Sequence, residues 1–148
     1  MTVPLLRIFF DANVLIAGSF SQTGASFLLL QLCELGLLKG LACKQVIDEC
    51  QENIREKLPQ AEPIFEKIVA CSIEVLPNSI WTEINKYQIM AHRKDLPILT
   101  VALTVEANYL VTFDIEDFNP DPKLGLVICK PGELLKQIRN KLTELAEK

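Results

Sequence analysis

Short apolar runs alternate with longer helical stretches along the whole chain, and that alternation allows few architectures. Residues 5–10 form a continuous apolar run with one arginine, as a strand buried on both faces requires. Residues 24–38 carry Phe27, Leu28, Leu32 and Leu35 at helical spacing, with Gly36 near the end. A brief strand at 40–42 precedes an amphipathic helix at 45–58, which Pro59 ends. A second helix at 61–70 sets Ile64, Phe65, Ile68 and Val69 on one face and leads to a strand at 73–76. The second half repeats the pattern: helices at 80–91 and 96–107, strands at 109–112 and 126–129, and a C-terminal helix opened by Pro131. Strands separated by helices imply parallel pairing through right-handed crossovers. The expected fold is α/β: a three-layer α/β/α sandwich around a central, mostly parallel sheet, in one domain over residues 1–148. Ligands of such sheets sit at the carboxyl ends of the strands.

Composition agrees with a self-sufficient core. A chain of 148 residues with 49% hydrophobic and 23% charged residues needs neither disulfides nor a structural metal to fold. The five cysteines are odd in number and no two have C-x-x-C spacing, so they read as small apolar residues in a reducing compartment. Residues 1–7 lack a charged leader followed by a long apolar region, and the run 27–32 is too short to span a bilayer. A cytoplasmic protein without a membrane partner is expected. The net charge of -4 excludes affinity drawn from a broadly basic surface. A polyanionic partner needs a local patch or a bridging cation.

The expected strand ends are acidic. Asp11 follows the first strand, and Asp114 and Asp117 follow the strand 109–112. Asp95 precedes the helix that leads into that strand, and Glu49 lies early in the helix after the second strand. Each has an ordinary reading as well: Asp95 as a helix N-cap, Glu49 as a solvated helix charge, Asp114 to Asp117 as an acidic turn. Asp11 fits such a reading least, because an acid ending an apolar central strand is poorly placed for solvation. Two carboxylates 5 Å apart repel by roughly 3 kcal/mol at an effective dielectric near 20. Convergence of four or five therefore calls for a divalent cation. Oxygen ligands without imidazole or thiolate point to Mg²⁺ or Mn²⁺.

Three stretches of these residues resemble the PIN domain, a family of metal-dependent nucleases that includes the VapC-type toxins. They are Phe10-Asp11-Ala12-Asn13-Val14-Leu15, then Val46-Ile47-Asp48-Glu49-Cys50, then Lys94-Asp95-Leu96-Pro97-Ile98-Leu99 through Tyr109-Leu110-Val111-Thr112-Phe113-Asp114 to Asp117. The resemblance implies that Asp11, Glu49 and Asp95 are the core metal-binding acids, with Asp114 or Asp117 as the fourth. It implies that Asn13 and Thr112 orient those acids through hydrogen bonds. Ala12 departs from the family pattern, where many relatives carry a hydroxyl residue. The implied activity is endonucleolytic hydrolysis of RNA leaving a 5′-phosphate and a 3′-hydroxyl, as in the toxin of a toxin–antitoxin pair. The apolar helix 24–38 and the face 64–69 suggest a surface for an antitoxin or for a second copy in a homodimer.

Beside the acids, Arg93 and Lys94 are candidates for phosphate contacts, and Lys44 is a weaker one. Trp81 and Tyr87 are candidates for base stacking or for packing. Two other classes of function compete. One is a PIN-like module that binds RNA or protein without cutting. The other is a phospho-acceptor receiver, suggested by Lys130-Pro131-Gly132-Glu133 but lacking paired acids after the first strand and an acceptor aspartate after the third.

Overall fold

Ile8, Phe9 and Phe10 are all fully buried, and the strand they form is the middle of the sheet. In the computed structural model, which describes residues 5–147 apart from the side chains of Trp81 and Thr82, the elements run in this order. They are β1 (Arg7–Phe10), α1 (Ala12–Phe20), α2 (Ala25–Glu34), β2 (Lys39–Cys43), α3 (Lys44–Lys57), α4 (Glu62–Ser72), β3 (Glu74–Leu76), α5 (Trp81–Ile84), α6 (Leu96–Thr104), β4 (Tyr109–Val111), β5 (Val127–Cys129) and α7 (Pro131–Ala146). The strand order is β3-β2-β1-β4-β5, and every pairing is parallel. Ile8 lies opposite Gly40 on one side and Tyr109 on the other. Helices flank the sheet as the expected three-layer sandwich: α1 to α4 pack on one another, α7 packs on α2, and α6 packs on α5 and β2.

The order differs from the 2-1-3-4-5 order of receivers, which removes that reading. It also locates the binding crevice. The first crossovers step from β1 outward through β2 to β3, and the next returns across the sheet to β4. The direction of winding therefore reverses between β1 and β4, and ligands of open α/β sheets bind at such a reversal.

Several helices differ from expectation. The segment Ala12–Phe20, whose sequence shows no one-sided pattern, is helical. Its residues are apolar on nearly every side, so no stripe distinguishes it, and Val14 and Leu15 are fully buried. The expected helix 24–38 stops at Glu34. Gly36, at φ 80°, ends it: its N–H donates to Cys33 O at 3.0 Å while Leu37 N–H donates to Leu32 O at 2.9 Å. The expected helix 80–91 is a single turn, Trp81–Ile84, followed by a 3₁₀ turn, Asn85–Tyr87. Ala91 instead pairs with Phe118 in an isolated antiparallel bridge, so a tertiary contact overrides the local helical tendency.

The expected helix 96–107 ends at Thr104 by the same device as α2, but with Glu106 in the left-handed position at φ 56°. Glu106 N–H donates to Leu103 O at 3.1 Å and Ala107 N–H to Ala102 O at 3.0 Å. A side chain there crowds its own carbonyl. Glu106→Gly is expected to stabilise the protein by roughly 0.5–1 kcal/mol, after the larger chain entropy of unfolded glycine is counted. A higher urea midpoint at unchanged slope checks this.

Four of the five cysteines are buried, none is bonded to another, and burial pushes the Cys33 thiol up to about 12. Among the described residues no single helix is long and apolar enough to cross a membrane.

Candidate metal centre

The site begins where β1 and β4 end. Asp11 N–H donates to Val111 O at 3.0 Å, and Thr112 N–H donates to Cys129 O at 3.0 Å. Both residues therefore extend the sheet's pairing by one step before the chain turns away, which holds their backbones rigidly. Asp11 is only 8% exposed, so its carboxylate must find partners within the protein. One oxygen accepts the Ala12 N–H at 2.8 Å, and the other accepts the hydroxyl of fully buried Thr112 at 2.8 Å.

Asn13, in the first turn of α1, ties this pair to the loop after β4. Its Nδ2 donates to Asp114 Oδ2 at 3.1 Å, and its Oδ1 accepts the Phe113 N–H at 3.3 Å. Thr112 Oγ1 also accepts the Asp114 N–H at 3.1 Å. Asp11, Asn13, Thr112 and Asp114 thus form one hydrogen-bonded cluster across the reversal point. Asp117 closes the 3₁₀ turn Ile115–Asp117. Its carboxylate lies 3.4 Å from His92 Nε2, and its carbonyl accepts the His92 N–H at 3.2 Å. That pairing joins the loop after β4 to the segment that carries Asp95.

Asp95 stands at the N-cap position of α6, yet it does not cap. Its backbone is α-helical, at φ −95° and ψ −12°, and its side chain accepts no helix N–H. The N-cap reading of this residue is overturned. Asp95 Oδ2 is instead, among the described residues, the one buried side-chain oxygen or nitrogen with no hydrogen-bond partner. Glu49 is exposed on α3 and shares with Asp95 and Lys94 the wall of an open cavity of about 400 Å³.

Electrostatics joins the acids further. The pKa of Asp11 is raised, first by burial and then by the charges of Asp114 and Asp117, against the lowering hydrogen bonds from Thr112 and Ala12. Glu49, though exposed, is partly shielded at the cavity wall and is raised first by that partial burial, then by Asp11 and Asp95. Asp95 is raised by burial, then by Asp11, with Asp117 adding to it. Lys94 lowers both Glu49 and Asp95, so this lysine faces the acids. Arg93 lies beside it and is exposed, and Lys44 is exposed at the start of α3. Tyr87 is half-buried; the side chain of Trp81 lies outside the described residues.

Among the described residues, no three carboxylate, histidine or cysteine groups already stand close enough to grip one ion. The donor set nevertheless suits a hard divalent cation. It offers carboxylate oxygens alone, it includes a buried oxygen with no other partner, and its members raise one another's pKa.

A model of the PIN domain matches residues 7–116. The chain belongs to the PIN-domain family. PIN domains are generally nucleases, and the crevice of this one coincides with the stretches that carry the resemblance. A chain of VapBC2 from Rickettsia felis, in a crystal structure bound to a DNA fragment from their promoter, shares the fold with a TM-score of 0.59. It is 16% identical to this PIN domain and covers 82% of it, with 96% of that chain matched. No curated protein matches the chain. His92 pairing with Asp117, 25 positions away, has no sequence signal; Lys94 had one in its adjacency to Asp95.

A pH prediction follows from the raised carboxyls. A group whose folded pKa is raised lends stability that is present below its ordinary pKa and lost as pH rises through the raised value. The metal-free PIN domain is therefore expected to lose stability from Asp11, Glu49 and Asp95 as pH rises above about 4. Urea midpoints in EDTA at pH 5 and pH 7.5 check this: Asp95→Asn should gain on wild type as the pH rises. An equal difference at both pH values would remove the claim.

Proposed function

We propose that this PIN domain is a Mg²⁺- or Mn²⁺-dependent endoribonuclease that hydrolyses RNA phosphodiester bonds. The unpartnered buried oxygen of Asp95, within charge range of Asp11 and Glu49, is the observation that carries the reading. A buried carboxylate oxygen without a donor is costly, and a cation relieves it together with the repulsion. Asp11, Glu49 and Asp95 would hold the ion. Asp114 is the better fourth acid, because Asn13 binds one of its oxygens and orients it, whereas Asp117 faces His92.

When bound, the ion supplies a more acidic water and positive charge for a phosphoryl oxygen in the transition state. The protein's own groups do the rest. Thr112 and Asn13 hold the acids in place, and a carboxylate at the rim orients or deprotonates the attacking water. Lys94 offers a cationic contact for a flanking phosphate, and Arg93 a second cationic group for the nucleic acid. Family membership supports RNA as substrate and products with 5′-phosphate and 3′-hydroxyl ends.

The VapBC2 likeness supports the further proposal of a cytoplasmic toxin with an antitoxin partner. Phe20, Leu28, Leu35 and Leu37, on and after α1 and α2, are exposed apolar side chains available to that partner or to a second copy. The face 64–69 offers less, since Phe65 and Ile68 are buried.

Purified protein should cut single-stranded RNA with Mn²⁺ or Mg²⁺ and leave it intact in EDTA, with ligation-competent 5′-phosphates on the products. Mn²⁺ at about 100 times its Kd should stabilise the fold by about 2.7 kcal/mol, read as a melting midpoint higher by several degrees. No cleavage and no shift would replace this reading by a PIN-like module that binds without cutting.

A further inference from the structure

A second pocket, of about 420 Å³, opens beside the acids and is lined by Ile84, Asn85, Gln88, Arg93, Leu96 and Pro97. Leu96 follows Asp95 directly and Arg93 lies two residues before it, so the pocket starts at the edge of the crevice. Its volume falls in the range of roughly 300–1,000 Å³ usual for small-ligand sites. Three lining side chains, Ile84, Leu96 and Pro97, are aliphatic and give apolar contact to the face of a flat ligand. The other three carry directional polar groups. Gln88 Nε2 donates to Asn85 Oδ1. Whichever way the two amides are turned, that bond leaves one amide carbonyl and one NH₂ with no other hydrogen-bond partner among the described residues. Arg93 adds a planar, permanently charged fork of donors.

We infer that this pocket takes one nucleobase of the RNA next to the cut and selects guanine. Guanine presents two adjacent acceptors, O6 and N7, which an arginine fork meets in its commonest base contact. It also presents the N1–H and N2–H donors, which a free amide carbonyl accepts. Pyrimidines lack the N7 and O6 pair, and adenine places a donor where Arg93 needs an acceptor. The inference rests on the nuclease reading for its biological meaning, and it names what sets the cleavage sequence.

The test uses the whole chain in EDTA, which removes any phosphate–metal contact, titrated with GMP, AMP, CMP and UMP. The readout is the NMR shifts of the Asn85 and Gln88 side-chain amides. GMP should bind at least about tenfold more tightly than UMP and move both amide signals. The double variant Asn85→Ala and Gln88→Ala should lose that preference, with its melting midpoint in EDTA confirming that it is folded. Equal affinity for all four nucleotides, preference for another base, unmoved amides, or a preference that survives in the double variant overturns the inference. Guanine binding by a protein that cuts no RNA would keep the pocket and remove the nuclease reading. RNA cleavage by a protein whose pocket ignores all four nucleotides would do the reverse.

Discussion

Asp11→Asn is expected to reduce Mn²⁺-dependent RNA cleavage by more than about 100-fold, because even outer partners of metal ligands typically cost 10–100-fold. The same substitution should leave the metal-free protein unchanged in melting midpoint or raised by up to about 4 °C. Opposite effects on activity and stability are what distinguish a ligand from a structural acceptor. Asp11 accepts two hydrogen bonds that favour its charged form, and yet its pKa is raised. Burial and the neighbouring acids therefore outweigh both bonds. Each nearby charge costs on the order of 1–3 kcal/mol at an effective dielectric near 20. Asparagine removes that repulsion and keeps one carbonyl oxygen for the Ala12 N–H. Against this stands its NH₂ group, which must share Thr112 Oγ1 with the Asp114 N–H and the nearby Asn13 amide. The two effects leave the balance near zero or favourable. A midpoint in EDTA several degrees below wild type would show that Asp11 serves the fold rather than an ion.

What made Asp11 conspicuous in the sequence was its place after an apolar run that leaves no room for solvent, and that run is β1 at the centre of the sheet. Alternation of strands and helices was legible because each strand is short and apolar and most helices carry a one-sided stripe. α1 was illegible for the opposite reason: a helix that is apolar all round has no stripe to show. The stretch after Ile84 departs from its local helical pattern because the backbone of Ala91 pairs with Phe118, 27 residues beyond it, and not with its neighbours. Strand order was also hidden, since no local pattern records which strand lies beside which. Yet that order places the reversal between β1 and β4, where Asp11 meets Thr112. The acids themselves could be read, but their relations could not. Asp95 looked like a cap until its backbone conformation and unpartnered oxygen were known.

Thr112→Val is expected to destabilise the metal-free protein by about 2–3 kcal/mol at neutral pH, since a hydrogen bond to a charged group is worth about 1.5–3 kcal/mol. The midpoint should fall by about 5–10 °C. Valine has nearly the shape of threonine, so no cavity opens in the fully buried site, and the loss is one of hydrogen bonding. Both the Asp11 carboxylate and the Asp114 N–H lose a partner. The pH dependence identifies the cause. The Thr112 hydroxyl is the largest of the influences that hold the Asp11 pKa down, so without it that pKa climbs further. A carboxyl with a raised folded pKa destabilises only where it is ionised. The deficit of Thr112→Val against wild type should therefore be small near pH 4 and grow as pH rises through the raised value. Thr112→Ser keeps the hydroxyl and should recover most of the loss, along with Mn²⁺ affinity, which valine should weaken by about 10–100-fold. A deficit that is the same at pH 4.5 and pH 7.5, with no recovery by serine, would mean that Thr112 acts through packing. The hydroxyl would then have no part in holding the acid for the ion.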